Sequence, residues 1–266
     1  MGGSASSEPI TVVVLEMKAQ SQEFEAWIRT LEIQLNAELQ SPDQKSKPTV
    51  EVVFQAAQSE NYGGSEALLE LRSKIEENPE FFEISGKPAP EIELFLKSPE
   101  IWAEKNLPAL HRRAEWIAGR LAACECRRRI VGAIHPAPFR YSITHSDGFV
   151  LACGAQSKDG LGIDLERATR SISTAAARRT FSDQEQSLGL SPVELWTIKE
   201  ATFKALHLQA PFILSQLTVQ SCHTIPARAN SALWRTGICA ILNHPEQTCQ
   251  FWLLSSPEWT VCFSIL

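Results

Sequence analysis

The 266-residue chain has no apolar run near the roughly 20 residues a membrane helix needs, which excludes a spanning helix. It has no paired Cys-x-x-Cys and no histidine at metal spacing beside its seven scattered cysteines, so a zinc ribbon or disulfide framework is not expected. The thiols read as the reduced cysteines of a cytoplasmic protein. No internal repeat of fixed period is present, which argues against a solenoid. The opening residues 1–9 carry neither a basic cluster nor an apolar core, so they read as a flexible lead-in rather than a secretory signal. What is present is ordinary for a globular chain, with 44% hydrophobic and 21% charged residues.

The net charge of −6 hides an asymmetry. Residues 1–105 hold 9 basic and 19 acidic side chains, a balance of −10, whereas 106–266 hold 16 and 12, a balance of +4. Seven arginines (112, 113, 120, 127, 128, 129 and 140) crowd into 107–140 against Glu115 and Glu125. So local a cluster points to a small anionic ligand rather than to nucleic acid, although charge alone favours a solvated helix face.

Hydrophobic spacing predicts strands at 10–15 and 50–54, helices over 21–39 and 66–75, and loop or short strands from 78 to 99. A helix is expected over 107–128, where Leu110, Ala114, Ile117, Leu121 and Cys124 form one stripe. Strands follow at 141–145, 149–155 and 160–166. Ser191 and Pro192 are placed as N-cap and first-turn residue of a helix over 193–207. Short alternating segments at 217–219, 234–242, 251–254 and 260–265 read as an antiparallel sheet.

Three segments carry chemistry. In Gly160–Glu166 the alternation puts Leu161, Ile163 and Leu165 on one face and Gly162, Asp164 and Glu166 on the other. Paired carboxylates with room beside them suit a divalent cation, although alone the segment also reads as an edge strand with surface acids. On the helix 194–204, Glu200 and Lys204 are four apart and share a side. If that side meets the strand, three acids and a lysine converge, the inventory for a metal and a polyphosphate. The third segment is Ser142–Gly148, where Thr144 and His145 close a strand and offer donors to a phosphate. A serine hydrolase is disfavoured, because there is no Gly-x-Ser-x-Gly elbow.

At these residues the chain resembles the 4′-phosphopantetheinyl transferases of the Sfp type. The family pattern is matched in order by Thr144-His145-Ser146, by Gly162-Ile163-Asp164-Leu165-Glu166, and by Trp196 to Lys204 (W-T-I-K-E-A-T-F-K). The segment Arg112 to Ala123 resembles the arginine helix of the siderophore-synthase subgroup. The resemblance spans about 107–266.

It implies an α+β fold of two similar α/β subdomains packed as a pseudo-dimer, with an enlarged N-terminal part. Residues 10–141 would form the first subdomain, with 10–105 of unrecognised character, and 142–266 the second. It implies transfer of 4′-phosphopantetheine from coenzyme A to a serine of an acyl or peptidyl carrier protein by a monomeric cytoplasmic enzyme. Asp164, Glu166 and Glu200 would hold Mg²⁺, and Glu200, or else Glu166, would be the base. Lys204 and His145 would neutralise phosphate, and Arg112, Arg120, Thr144 and Lys199 would contact the coenzyme. The interval 129–140 is shorter than the family's and lacks its lysine. That departure motivates one alternative, a non-catalytic carrier-docking module of a larger synthase, and the same three acids leave a second, a metal-dependent hydrolase of nucleotide pyrophosphates.

Overall fold

The computed structural model describes residues 13–14, 27–28, 33, 35, 37, 51–56, 72–78, 80–86, 110–130, 138–147, 149–208, 213–225 and 233–266. In chain order the labelled elements begin with strands β1 (Val13–Val14) and β2 (Glu51–Ala56), then helices α1 (Phe81–Ser85) and α2 (Leu110–Ile130). Strands β3 (Phe139–Ser146), β4 (Phe149–Gln156) and β5 (Leu161–Arg167) follow, then helices α3 (Thr174–Thr180), α4 (Asp183–Gln186) and α5 (Pro192–Ala205). Strands β6 (Leu217–Ile225), β7 (Leu233–Ile241), β8 (His244–Ser255) and β9 (Trp259–Ile265) complete a mixed α/β fold. Among the described residues no helix is long and apolar enough to cross a membrane. The chain divides into two units, Met1–His135 with Asp147–Gly154, and Pro136–Ser146 with Ala155–Leu266. It therefore passes between units three times, where the sequence suggests a single boundary near 141.

In the first unit β1 runs parallel to β2, with Val13 opposite Val53. β2 pairs antiparallel with β4 from Glu51 opposite Gly154 to Ala56 opposite Phe149. The described parts of the expected helices are helical: Ile28 and Leu35, two turns apart, are buried, and Ile75 is buried on 72–76. The remainder of 10–15, 21–39 and 66–75 lies outside the described residues. At 81–85 the structure corrects the expected loop: α1 forms there, with Phe81 and Ile84 buried one turn apart. Gly86, in the left-handed region at φ 63°, ends it. Phe81 packs edge-on to Trp116 of α2 with ring centroids 6.2 Å apart. Of the stripe foreseen on α2, Ile117, Leu121 and Cys124 are buried. The acids answer the basic end of this helix, Arg127 with Glu83 at 2.8 Å, and Arg128 and Arg129 with Glu125.

The second unit is built on an antiparallel sheet in the order β5-β9-β8-β7-β6. α5 covers one face of it. Leu195, Ile198 and Ala201 of the helix join Leu217, Val219, Cys239, Phe251, Leu253 and Cys262 of the sheet in one buried cluster. The N-terminus of α5 is fixed by local chemistry, as foreseen. The Ser191 hydroxyl accepts from Glu194 N, and Ser191 N donates to Glu194 Oε2 at 2.7 Å, a capping box worth about 1 kcal/mol. The same carboxylate accepts from Arg235 on β7 at 2.6 Å and from Ser255 on β8 at 2.7 Å, which tethers the helix to the sheet.

Candidate active site

The site grows from the lack of a side chain at two glycines. A Cβ on Gly162 would lie 1.8 Å from Ala201 O, and one on Gly160 the same distance from Ala205 O. The backbone of α5 therefore rests directly on the face of β5 that Gly162 shares with Asp164 and Glu166. Residues 200 and 204 each stand one position before the two points of contact, which carries them to the acidic face. Lys204 Nζ donates to Ile163 O at 2.9 Å and to Asp164 Oδ1 at 2.8 Å.

The edge of β5 away from β9 is satisfied by hydroxyls of β3. Ile163 N donates to Ser142 Oγ and Leu165 N to Thr144 Oγ1, each at 3.1 Å. The Thr144 hydroxyl in turn donates to Asp164 Oδ1 at 3.0 Å. Asp164 is 5% exposed and has both of these donors on one oxygen, while its Oδ2 is buried without a hydrogen-bond partner.

Glu166 is buried as well and is paired with Arg170. Glu200 is half-buried. Burial, and then the nearby charge of Asp164, hold its carboxyl above the usual carboxylate range, against the opposing pull of Lys204 and Arg170. Glu200 also lines a pocket of about 480 Å³ beside Trp196, Phe203, Ala176, Arg179 and Thr180.

Among the described residues no three histidine, cysteine or acidic side chains already stand together as a ligand set. The donor chemistry nonetheless fits a hard divalent cation. Asp164 Oδ2 is a desolvated carboxylate oxygen with no proton donor, and Glu200 is close enough for its titration to respond to Asp164. Asp164, Glu166 and Glu200 are the residues that would hold it.

Of the residues singled out from sequence, Asp164, Glu200 and Lys204 meet, with Thr144 behind Asp164 and Glu166 along the same strand. Thr144 serves differently from expectation, because its single proton goes to Asp164 and it is 3% exposed, leaving nothing to offer a phosphate. His145 is exposed at the end of β3. Lys199 is not brought to the acids. Its ammonium is fully buried, donating to Thr180 O at 2.6 Å and pairing with Glu185 at 2.8 Å, which corrects its expected contact with a coenzyme. Arg120 lies in the first unit with its guanidinium 4.2 Å from the Trp116 ring centroid. Arg112 belongs to α2 in the same unit, and its side chain lies outside the described residues. Sequence reasoning missed Arg170 and Glu185. The Ser182-x-x-Glu185 spacing is a readable capping box, but nothing in it announces a partner for Lys199.

Residues 160–262 match the family model of the 4′-phosphopantetheinyl transferase superfamily. The match covers less than half of the chain; it includes β5, α5, β6 to β8 and the first part of β9, and begins after β3. No curated protein matches the chain.

Proposed function

We propose that this chain transfers 4′-phosphopantetheine from coenzyme A to a serine hydroxyl of an acyl or peptidyl carrier protein, releasing adenosine 3′,5′-bisphosphate. The observation that supports it best is the placement of Glu200: half-buried, raised above the carboxylate range, beside Asp164 and Lys204, and lining a pocket. The family match over 160–262 supports the same reading.

A serine hydroxyl is a weak nucleophile near neutral pH, and a pyrophosphate repels it, so the site must supply a base and positive charge. In the reaction the serine oxygen forms a bond to the β-phosphorus of coenzyme A, and the bond from that phosphorus to the bisphosphate leaving group breaks. The serine proton passes to Glu200, directly or through water, with Glu166 as the second candidate. A carboxyl held above its ordinary range is the stronger base of its kind once ionised. Lys204 has three N–H donors, and two are committed to Ile163 O and Asp164 Oδ1, so the third serves a phosphate oxygen. Thr144 fixes the Asp164 carboxylate from behind. Mg²⁺ on Asp164, Glu166 and Glu200 would neutralise the pyrophosphate and ease departure of the leaving group.

The test is the intact mass of a panel of apo carrier proteins incubated with the purified chain, Mg²⁺ and coenzyme A. A phosphopantetheine mass gain is expected on at least one carrier, and no gain on any overturns the proposal. Glu200→Gln is expected to reduce transfer by about 10²-fold or more, while calorimetry still records coenzyme A binding.

A further inference from the structure

Beyond Arg167 the chain leaves β5 through a tight turn. Arg170 N donates to Arg167 O at 2.9 Å, and Ala168 N donates to Glu258 O at 2.8 Å. The two arginines of this turn part ways. The Arg167 guanidinium is parked outward, 3.8 Å from the centroid of Trp259 and 3.9 Å from Glu258 Oε2. The turn folds Arg170 back instead, so that its Nη1 bonds Glu166 Oε1 while its guanidinium carbon stands 5.4 Å from the centroid of Trp196. Trp196 and Glu200 line the same pocket. The arginine side chain is 41% exposed and that of Glu166 only 11%, so a cation with freedom to move covers a carboxylate without it.

We propose that Arg170 is a place-holding cation of the acidic site, neutralising Glu166 until a divalent ion arrives and then yielding it to that ion. The inference rests on the reading of Asp164, Glu166 and Glu200 as metal ligands. Glu166 follows Asp164 on the face of β5 that α5 covers, and carboxylates that share a buried face repel one another unless positive charge stands among them. Lys204 answers Asp164, and among the described residues Arg170 is the cation bonded to Glu166. An incoming ion must therefore break an ion pair before it gains its second strand carboxylate. The Trp196 face offers the displaced guanidinium a second seat at the pocket.

The test is titration of Mn²⁺ alone, without coenzyme A, into the purified full chain, with free Mn²⁺ followed by electron paramagnetic resonance. Arg170→Gln is expected to bind Mn²⁺ about fivefold more tightly than wild type, the size a partly exposed ion pair supports. Arg170→Lys, which keeps the charge, is expected to stay near wild type. In thermal unfolding the Arg170→Gln protein should melt lower without metal and gain more on Mn²⁺ addition. If it does not fold metal-free, refolding with Mn²⁺ should rescue it, and failure of rescue counts against the proposal. Unchanged or weaker Mn²⁺ binding by Arg170→Gln, with wild type binding normally, overturns the place-holder alone. A wild-type chain that takes up no Mn²⁺ overturns the metal reading itself and this inference with it.

Discussion

Lys199 and Lys204 stand five residues apart on one helix and have opposite fates. A fully buried ammonium is tolerable only with its charge and protons answered. Glu185 and Thr180 O answer Lys199, and Glu185 also accepts from Val219 N at 2.9 Å, tying α4, α5 and β6 together. Lys199→Met is expected to cost about 3–5 kcal/mol, read as a lower urea midpoint, with activity per folded molecule changed little. Lys204→Met should lower carrier modification by about 10²-fold, with a smaller loss of midpoint than Lys199→Met, because the Lys204–Asp164 pair is partly exposed on the lysine side. A lysine that grips the coenzyme would lose activity before stability, so the pair of variants separates the two roles. The sequence shows that Glu200 and Lys204 share a side, because four residues is one helical turn. It does not show the partner of Lys199, because Glu185 lies 14 positions away across a loop. Arg170 was invisible for a similar reason: its approach to Glu166 depends on a turn, and a turn carries no periodic signal.

At the scale of the element, the seat of α5 on β5 depends on an absence of atoms. Gly162→Ala would drive a methyl group to 1.8 Å from a carbonyl oxygen of the helix backbone, which cannot rotate away. The helix must shift, and the expected loss is about 3 kcal/mol, together with most of the transferase activity, because Glu200 and Lys204 move with it. Circular dichroism melts and the carrier assay measure both. This element was the most legible part of the chain. Ser191, Pro192 and Glu194 announce the start of the helix, and the alternation of Gly162, Asp164 and Glu166 against Leu161, Ile163 and Leu165 announces the strand. The short helix α1 was not legible, since five residues are too few for a 3.6-residue period to declare itself, and its helical state is fixed by Phe81 packing on Trp116.

For the molecule as a whole, the seven cysteines are free thiols. Six are buried and Cys222 is half-buried, and burial pushes the Cys124 and Cys239 thiols up to about 12. Thiolate, the reactive form, is therefore scarce at neutral pH. N-ethylmaleimide on the native chain is expected to add at most one group, at Cys222, and all seven after denaturation; several rapid adducts on native protein would contradict the packing described. The odd, scattered cysteine pattern made the reduced state legible, whereas the interleaving of the two units was not, since one crossing falls inside β4, where no change of composition marks it.

Strand β5, which presents Asp164 and Glu166, finds its ladder partner in β9, with Leu161 opposite Ile265. Those two residues are separated by about a hundred positions of chain, and such distant closure comes late in folding. During synthesis the acids leave the ribosome long before the strand that will hold them in line. A nascent or clipped chain without residues 259–265 thus carries every ionisable group of the site and none of its geometry, and is expected to be inert rather than weakly active.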